Sequence, residues 1–443
     1  MNASPAHTRI LVLGAGIFAA VASCEGPPSD SRSARAYLLH PESARAALVA
    51  SLVNPSNGYS QLRLAHYATG DGADWDRLPE WNPPAEPVAS RDLDVPGGAS
   101  SVALGDGARP LALVESVASI DDPNLIALGR EAFFRYPMQI LPALGVAVAS
   151  RSAAARYGLW VDDARGVGGL ARARVADGSA AIAMTCATCH ARPDAAAVLT
   201  PGLPNADLDL GAAMLASEGV PASVSGDPLA AWGPGRVDVT TADGREPARI
   251  PDLRPVRWLS YLQQDATVEA VDPIAPIALA IRIETLIVTS SQSTVRPPRI
   301  VALALAAYVR SLASSLPPVD AAAVASPRGA DLFAAGCAGC HAPPALTGPP
   351  VSLAVVGTDP TLGLSADRGT GTYRVPSLRG AATRGPLLHD GTLPSMDALL
   401  DPSRLTDSFS ERLHGTGAVP GHMFGLDLGD ADRAALLSYL VAL

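Results

Sequence analysis

The chain contains no lysine: all 33 of its basic residues are arginine, set against 43 acidic residues for a formal charge of −10. That balance excludes the broad basic surface that nucleic acid or an anionic membrane requires. With the abundance of Ala, Gly and Pro, the missing lysine reads as high-GC codon bias rather than function. Any cationic docking face must therefore be built from arginine, and the acidic total favours a basic partner. Long apolar runs are also absent. Residues 274–289 are interrupted by Arg282 and Glu284, and no later stretch approaches the ~20 apolar residues of a membrane span. The 443 residues, 48% of them apolar, support two or three domains with substantial cores.

Cysteine is scarce, at five residues, and four of them fall in two copies of one pentapeptide. These are Cys186-Ala187-Thr188-Cys189-His190 and Cys337-Ala338-Gly339-Cys340-His341. Two cysteines at this spacing share one face of a helical turn and can form thioethers to one porphyrin edge. The following histidine is then placed to ligate the iron. A zinc ribbon would bring its two Cys pairs to within ~15–20 residues of each other, far closer than these. A thioredoxin-like pair has no need of the trailing histidine. The motifs therefore predict two covalently attached haem c groups.

The fifth cysteine, Cys24, closes an apolar segment, residues 10–23, that follows Arg9. Its length suits a signal-peptide core, and Val21-Ala22-Ser23-Cys24 is similar to a bacterial lipobox, which makes Cys24 the expected lipidation site. Export to the periplasm or beyond, with the lipid as sole anchor to a bacterial membrane, fits both covalent haem attachment and the lack of other thiols.

An internal repeat organises the rest. Ile250-Pro251-Asp252-Leu253-Arg254 after the first motif matches Val375-Pro376-Ser377-Leu378-Arg379 after the second. Gln264-Asp265-Ala266-Thr267 stands to Pro251 as His389-Asp390-Gly391-Thr392 stands to Pro376. Gly129 and Phe133 match Gly329 and Phe333, and Tyr308 matches Tyr439 in the closing helices. Asp122-Pro123 and Ser326-Pro327 read as helix starts, with Asp430 as cap of the last helix. Phe333 runs almost directly into Cys337, whereas a long insertion containing Trp160 and residues 166–169 parts Phe133 from Cys186.

With Leu128-Gly129-Arg130, Phe133-Phe134, both haem motifs, Pro376-Ser377-Leu378-Arg379 and His389-Asp390-Gly391, residues 122–443 resemble the diheme cytochrome c peroxidases and their relatives. Gly421-His422-Met423-Phe424-Gly425 is most similar to the rubber-oxygenase branch. The resemblance implies two all-α cytochrome c domains with adjacent haems, one passing electrons and the other, usually the N-terminal one, meeting peroxide or dioxygen. Calcium between the haems is a further implication, although no residue here identifies its ligands. Leu387-Leu388 departs from the family's aromatic before His389, and Ser403 falls near the position of its usual ligand methionine.

An electron-transfer haem normally keeps His or Met on both sides of its iron. In the second half, His422 in its glycine-flanked loop is the favoured sixth ligand, with Met423, Met396 and His389 as alternatives. His389, in an Asp-Gly turn, also reads as a structural or interhaem residue. Between residues 215 and 336 there is no His, Met or Cys, so the first haem is expected to have an open or weakly held position. Gln264 and Glu284 are the candidate distal helpers, a hydrogen-bond donor and a proton shuttle, although Glu284 could simply pair with an arginine. Arg254 and Arg379, at equivalent positions, could share the task of pairing haem propionates.

The sequence thus predicts a mainly α protein. Its parts are a signal peptide (1–23), a small mixed or β extension (24–117), and tandem cytochrome c-type domains carrying haem 1 (118–325) and haem 2 (326–443). Electrons from a redox partner protein or small donor would enter at haem 2 and reach peroxide or dioxygen at haem 1. The alternative is a pure electron carrier with both irons six-coordinate.

Overall fold

A computed structural model describes residues 29–65, 77–175, 177–219, 228–238, 244–271, 275–291, 294–319 and 327–443. The expected signal segment and Cys24 lie outside these residues, as does Ser326.

The N-terminal extension differs from expectation in being helical over much of its described length. Helices α1 (Ser29–Leu39), α2 (Pro41–Ser51) and α3 (Gly58–Arg63) come first. Asn57 caps α3 by accepting from the Ser60 amide at 2.9 Å. Tyr37, Ala44 and Leu48 are buried in the main core, so the apolar residues of α1 and α2 pack inward. β structure in this region is the three-residue strand β1 (Ala85–Pro87).

In α4 (Pro123–Arg135), Asp122 accepts from the Asn124 amide and Pro123 occupies the first turn, as its sequence predicts. Helices α5 (Ala275–Ser290) and α6 (Arg299–Ser311) complete the core of the first half. α4 crosses α6 at Gly129, where a Cβ would lie 1.9 Å from the Ala304 carbonyl oxygen. Phe133 then packs edge-on to Tyr308, with ring centroids 5.3 Å apart. The second half repeats this crossing with α7 (Pro327–Gly336) and α8 (Asp430–Val441). A Cβ on Gly329 would meet the Ala435 carbonyl oxygen at 2.7 Å, and Phe333 packs on Tyr439 at 5.1 Å. Asp430, expected as a cap, is instead the first helical residue; Gly429 is the cap, and Asp430 pairs with Arg433 at 3.5 Å.

The loops carry the repeat as well. Gln263 and Leu388, at equivalent positions, both have φ of 67°, and Ala266 (55°) matches Gly391 (73°). Left-handed backbone is costly at the non-glycine residues Gln263, Ala266 and Leu388, so its recurrence at matching positions reflects one loop design used twice. The halves then exchange backbone bonds: the Arg249 amide donates to the His389 carbonyl at 3.0 Å, and the Arg374 amide to the Gln264 carbonyl at 2.9 Å. Residue i bonding j′ while i′ bonds j is the signature of a two-fold relationship, here between halves of one chain.

The insertion adds β2 (Gln139–Ile140), β3 (Leu170–Arg174) and β4 (Ala180–Met184), forming with β1 an antiparallel sheet in the order β1-β3-β4-β2. Arg172 on β3 is buried and bonds Asp92 at 2.6 Å and Glu86 at 2.8 Å. Among the described residues, no helix is long and apolar enough to cross a membrane.

Candidate haem centres

The second motif opens on a cleft with a cavity volume of about 110 Å³, lined by Cys337, Cys340, His341, Met396, Leu400 and His422, among others. Both thiols and two imidazoles thus border one largely apolar cavity. His341 Nδ1 lies 3.2 Å from the Leu346 carbonyl. A carbonyl can only accept, so this nitrogen carries the hydrogen, leaving Nε2 as the ligating atom. Burial holds the His341 pKa below its ordinary value, against hydrogen bonds to the Leu346 and Pro376 carbonyls. His422 is half-buried; its pKa is pushed down to about 4, first by loss of water and then by His341 and Arg404. Its Nδ1 has no hydrogen-bond partner among the described residues. An uncharged, unpartnered imidazole bordering the same cleft as the motif histidine suits an iron placed between them.

The other second-half candidates separate by position. Met396 is 7% exposed and lines the cleft, whereas Met423 is 51% exposed. His389 stacks on Tyr373, with ring centroids 4.2 Å apart, at the boundary between the halves.

The first motif forms the short helix Cys186–His190, which Thr185 begins by accepting from the Ala187 amide. β4 leads straight into it. Thr185 and Thr188 hydroxyls both donate to the Gly169 carbonyl, at 2.7 Å and 2.9 Å. A Cβ on Gly169 would sit 2.5 Å from the Thr188 nitrogen, so the glycine-rich insertion is pressed against the back of this motif. Both cysteines are half-buried, and desolvation pushes each thiol pKa up to about 12. His190 donates through Nδ1 to the Pro251 carbonyl at 3.0 Å, which again leaves Nε2 for iron. Burial pushes its pKa down to about 4, with Arg282 lowering it and Asp252 opposing. A backbone carbonyl therefore orients the imidazole of each motif, Pro251 for His190 and Leu346 for His341.

The repeat gives the first half no histidine matching His422. The equivalent residue, Ser291, spends its hydroxyl on the Val288 and Val295 carbonyls at 2.9 Å and 3.1 Å. His40 is exposed and paired with Glu42, and Tyr261 donates to Glu269.

The expected distal helpers both have protein partners. Glu284 accepts from Tyr37 at 2.7 Å and lies 3.5 Å from Arg299, so its carboxylate has the arginine pairing foreseen as the plainer reading. Gln264 donates to the Arg249 carbonyl at 3.3 Å and accepts from Arg374 at 3.5 Å. The charge that reaches His190 from α5 is that of Arg282. Gln263 accepts from Arg282 in the amide orientation its neighbours dictate.

Arg254 and Arg379 do not share a job. Arg254 is buried against Asp252 at 2.7 Å and also donates to Thr383. Arg379 donates to the Pro344 carbonyl and lies over the Trp258 ring at 4.7 Å. Both guanidinia thus have protein partners, but different ones. Among the described residues no set of three or more His, Cys, Asp or Glu is grouped to hold a metal ion, so the expected calcium is assigned no cage.

No protein-family model and no curated protein matches this chain. Among solved structures it is similar to a MauG-like protein associated with microbial copper homeostasis, with 17% identity, a TM-score of 0.33, and coverage of 49% of this chain and 79% of that one. It is also similar to the diheme peroxidase BthA from Burkholderia thailandensis E264, with 18% identity, a TM-score of 0.33, and coverage of 77% of this chain and 94% of that one.

Proposed function

We propose that the protein is an exported diheme c-type cytochrome with two tandem haem domains, closed to ligands at the second iron and open at the first. The observation that carries this is the asymmetry between equivalent positions: His422 borders the second cleft with a bare imidazole, while Ser291 is consumed by its own backbone. Haem, when bound, supplies one-electron storage at the second site and reduction of peroxide or activation of dioxygen at the first.

The chain's own groups define the division of labour. Cys186, Cys189, Cys337 and Cys340 provide the thioether attachments; His190 and His341 are the proximal ligands, each aimed by a backbone carbonyl. His422 completes the second iron, with Met396 as the other residue placed to do so. Arg282 and Gln263 form the polar pair on the first-site side, able to hydrogen-bond an anionic or dioxygen-derived ligand. Electrons come from a basic-faced redox protein or small donor, and the lipid on Cys24 tethers the molecule to a bacterial membrane.

A second reading, a pure electron carrier, is favoured by one observation: Glu284, the expected proton shuttle, is held by Tyr37 and Arg299. Electron paramagnetic resonance of the oxidised and half-reduced protein, with and without cyanide, separates the two. One low-spin haem beside a high-spin or cyanide-binding haem is expected. Two low-spin haems inert to cyanide in both states would leave only the carrier.

A further inference from the structure

We infer that Arg249 and Arg374 are paired anchors for haem carboxylates, one for each haem, meeting at the boundary between the two halves. This rests on the diheme reading and assigns the propionate-binding role to residues other than Arg254 and Arg379.

The two arginines are equivalent in the repeat, each two residues before the repeated proline. Arg374 lines the second cleft directly. Arg249 is 8% exposed, and its backbone and side chain cross to the other half, to the His389 and Leu388 carbonyls. Each keeps a buried guanidinium nitrogen without a hydrogen-bond partner: Nη1 of Arg249 and Nε of Arg374.

The surrounding charge leaves them short of anions. Arg254 occupies Asp252 at 2.7 Å, and Arg384 approaches the same carboxylate at 3.8 Å. Asp390 accepts from the Thr392 hydroxyl, and Asp265 accepts from Thr267 with Arg368 at 3.8 Å. Arg374 has its pKa pushed down to about 9, first by loss of water and then by Arg249 and Arg384. Four arginines, 249, 254, 374 and 384, thus share one interior region in which the nearest carboxylates are already engaged. Buried cations without counter-ions are strongly disfavoured. A porphyrin joined through thioethers at one edge carries two carboxylates on its other edge, and the planar guanidinium fork matches a carboxylate in two-point contact. The repeat then explains why the anchors come as a pair: one loop design, used twice, sets one arginine beside each ring.

The test is a potentiometric titration of the full diheme protein, following each haem by its own spin-state signal. A cation beside a haem favours the reduced form, so Arg374→Gln should shift the reduction equilibrium of haem 2 about tenfold toward the oxidised form, roughly 59 mV for one electron. Arg249→Gln should do the same to haem 1, each variant leaving the other haem nearly unmoved. Arg374→Lys keeps the charge and should recover the potential, while moving the propionate bending band in resonance Raman because the two-point contact is lost. If the glutamine variants do not fold, the lysine variant compared with the unmodified protein still decides. Unchanged potentials, equal shifts at both haems, or a Raman band indifferent to Arg374→Lys would overturn the assignment. Haem content of the unmodified protein, by mass and by pyridine haemochrome, tests the diheme reading separately.

Discussion

Arg404 donates to the carbonyl oxygen of His422 at 2.9 Å, and the imidazole of that residue has no hydrogen-bond partner at Nδ1. The same guanidinium, fully buried, also donates to the carbonyls of Gly421 at 2.7 Å, Leu399 at 2.9 Å and Val419. His422 sits at a φ of 47°, which costs a non-glycine residue on the order of 1 kcal/mol. Arg404 therefore fixes a strained loop by its backbone and leaves the side chain uncommitted for the cleft.

His422→Ala should convert the second haem from low-spin to high-spin or cyanide-binding while leaving both haems attached. His422→Met should keep six-coordination and raise the potential, since thioether ligation favours the reduced iron. Optical and paramagnetic resonance spectra read both outcomes. An unaltered low-spin spectrum in His422→Ala would point to Met396 as the ligand.

Arg404→Leu leaves buried carbonyls of the His422 loop without donors. A loss of on the order of 3 kcal/mol is expected, with the second haem's ligand field failing at lower denaturant than the helical signal. Parallel denaturant titrations by Soret absorbance and far-ultraviolet circular dichroism check this. Coincident, unshifted transitions would contradict it.

The two helix crossings give a graded pair. Gly129→Ala drives a methyl to within 1.9 Å of the Ala304 carbonyl, whereas Gly329→Ala reaches 2.7 Å from Ala435. Overpacking should cost about 3 kcal/mol or more in the first case and about 1–2 kcal/mol in the second. Thermal midpoints of the two variants should fall in that order.

His414 gives a pH dependence away from the iron ligands. Burial, then Arg236, lowers its pKa from the ordinary 6.5 to about 4. A depressed folded value means the unfolded chain binds the proton more tightly, so stability is fully present above about 6.5 and is lost as pH falls toward 4. His414→Gln cannot charge. Its melting temperature should fall less than the native protein's between pH 7 and pH 4.5. The half-exposed ring makes the difference small, and equal acid limbs would rule the linkage out.

How much could be read from sequence depended on whether the signal was local. The motif turns, the α4 start at Asp122-Pro123, and the repeat landmarks are short-range patterns, and the structure gives them matching geometry at Gly129 and Gly329 and at Gln263 and Leu388. α1 and α2 were missed because an Ala- and Arg-rich segment beside Pro and Gly carries little periodicity of its own; burial of Tyr37, Ala44 and Leu48 against the core supplies the reason they are helical. Asp430 was placed one residue late as a cap, within the usual looseness of helix ends.

By itself the sequence determined the two Cys-x-x-Cys-His turns, the duplication and the want of a His, Met or Cys between residues 215 and 336, because covalent chemistry and repeat register are written in adjacent residues. Only the tertiary structure decided which arginines face which partners. Arg254 and Arg379 look alike in the repeat, yet one meets Asp252 and the other Trp258. Arg249, Arg374 and Arg404 carried no local mark. Side-chain pairing in a low-dielectric interior depends on which distant elements arrive beside the group, and that is set by packing the halves against each other.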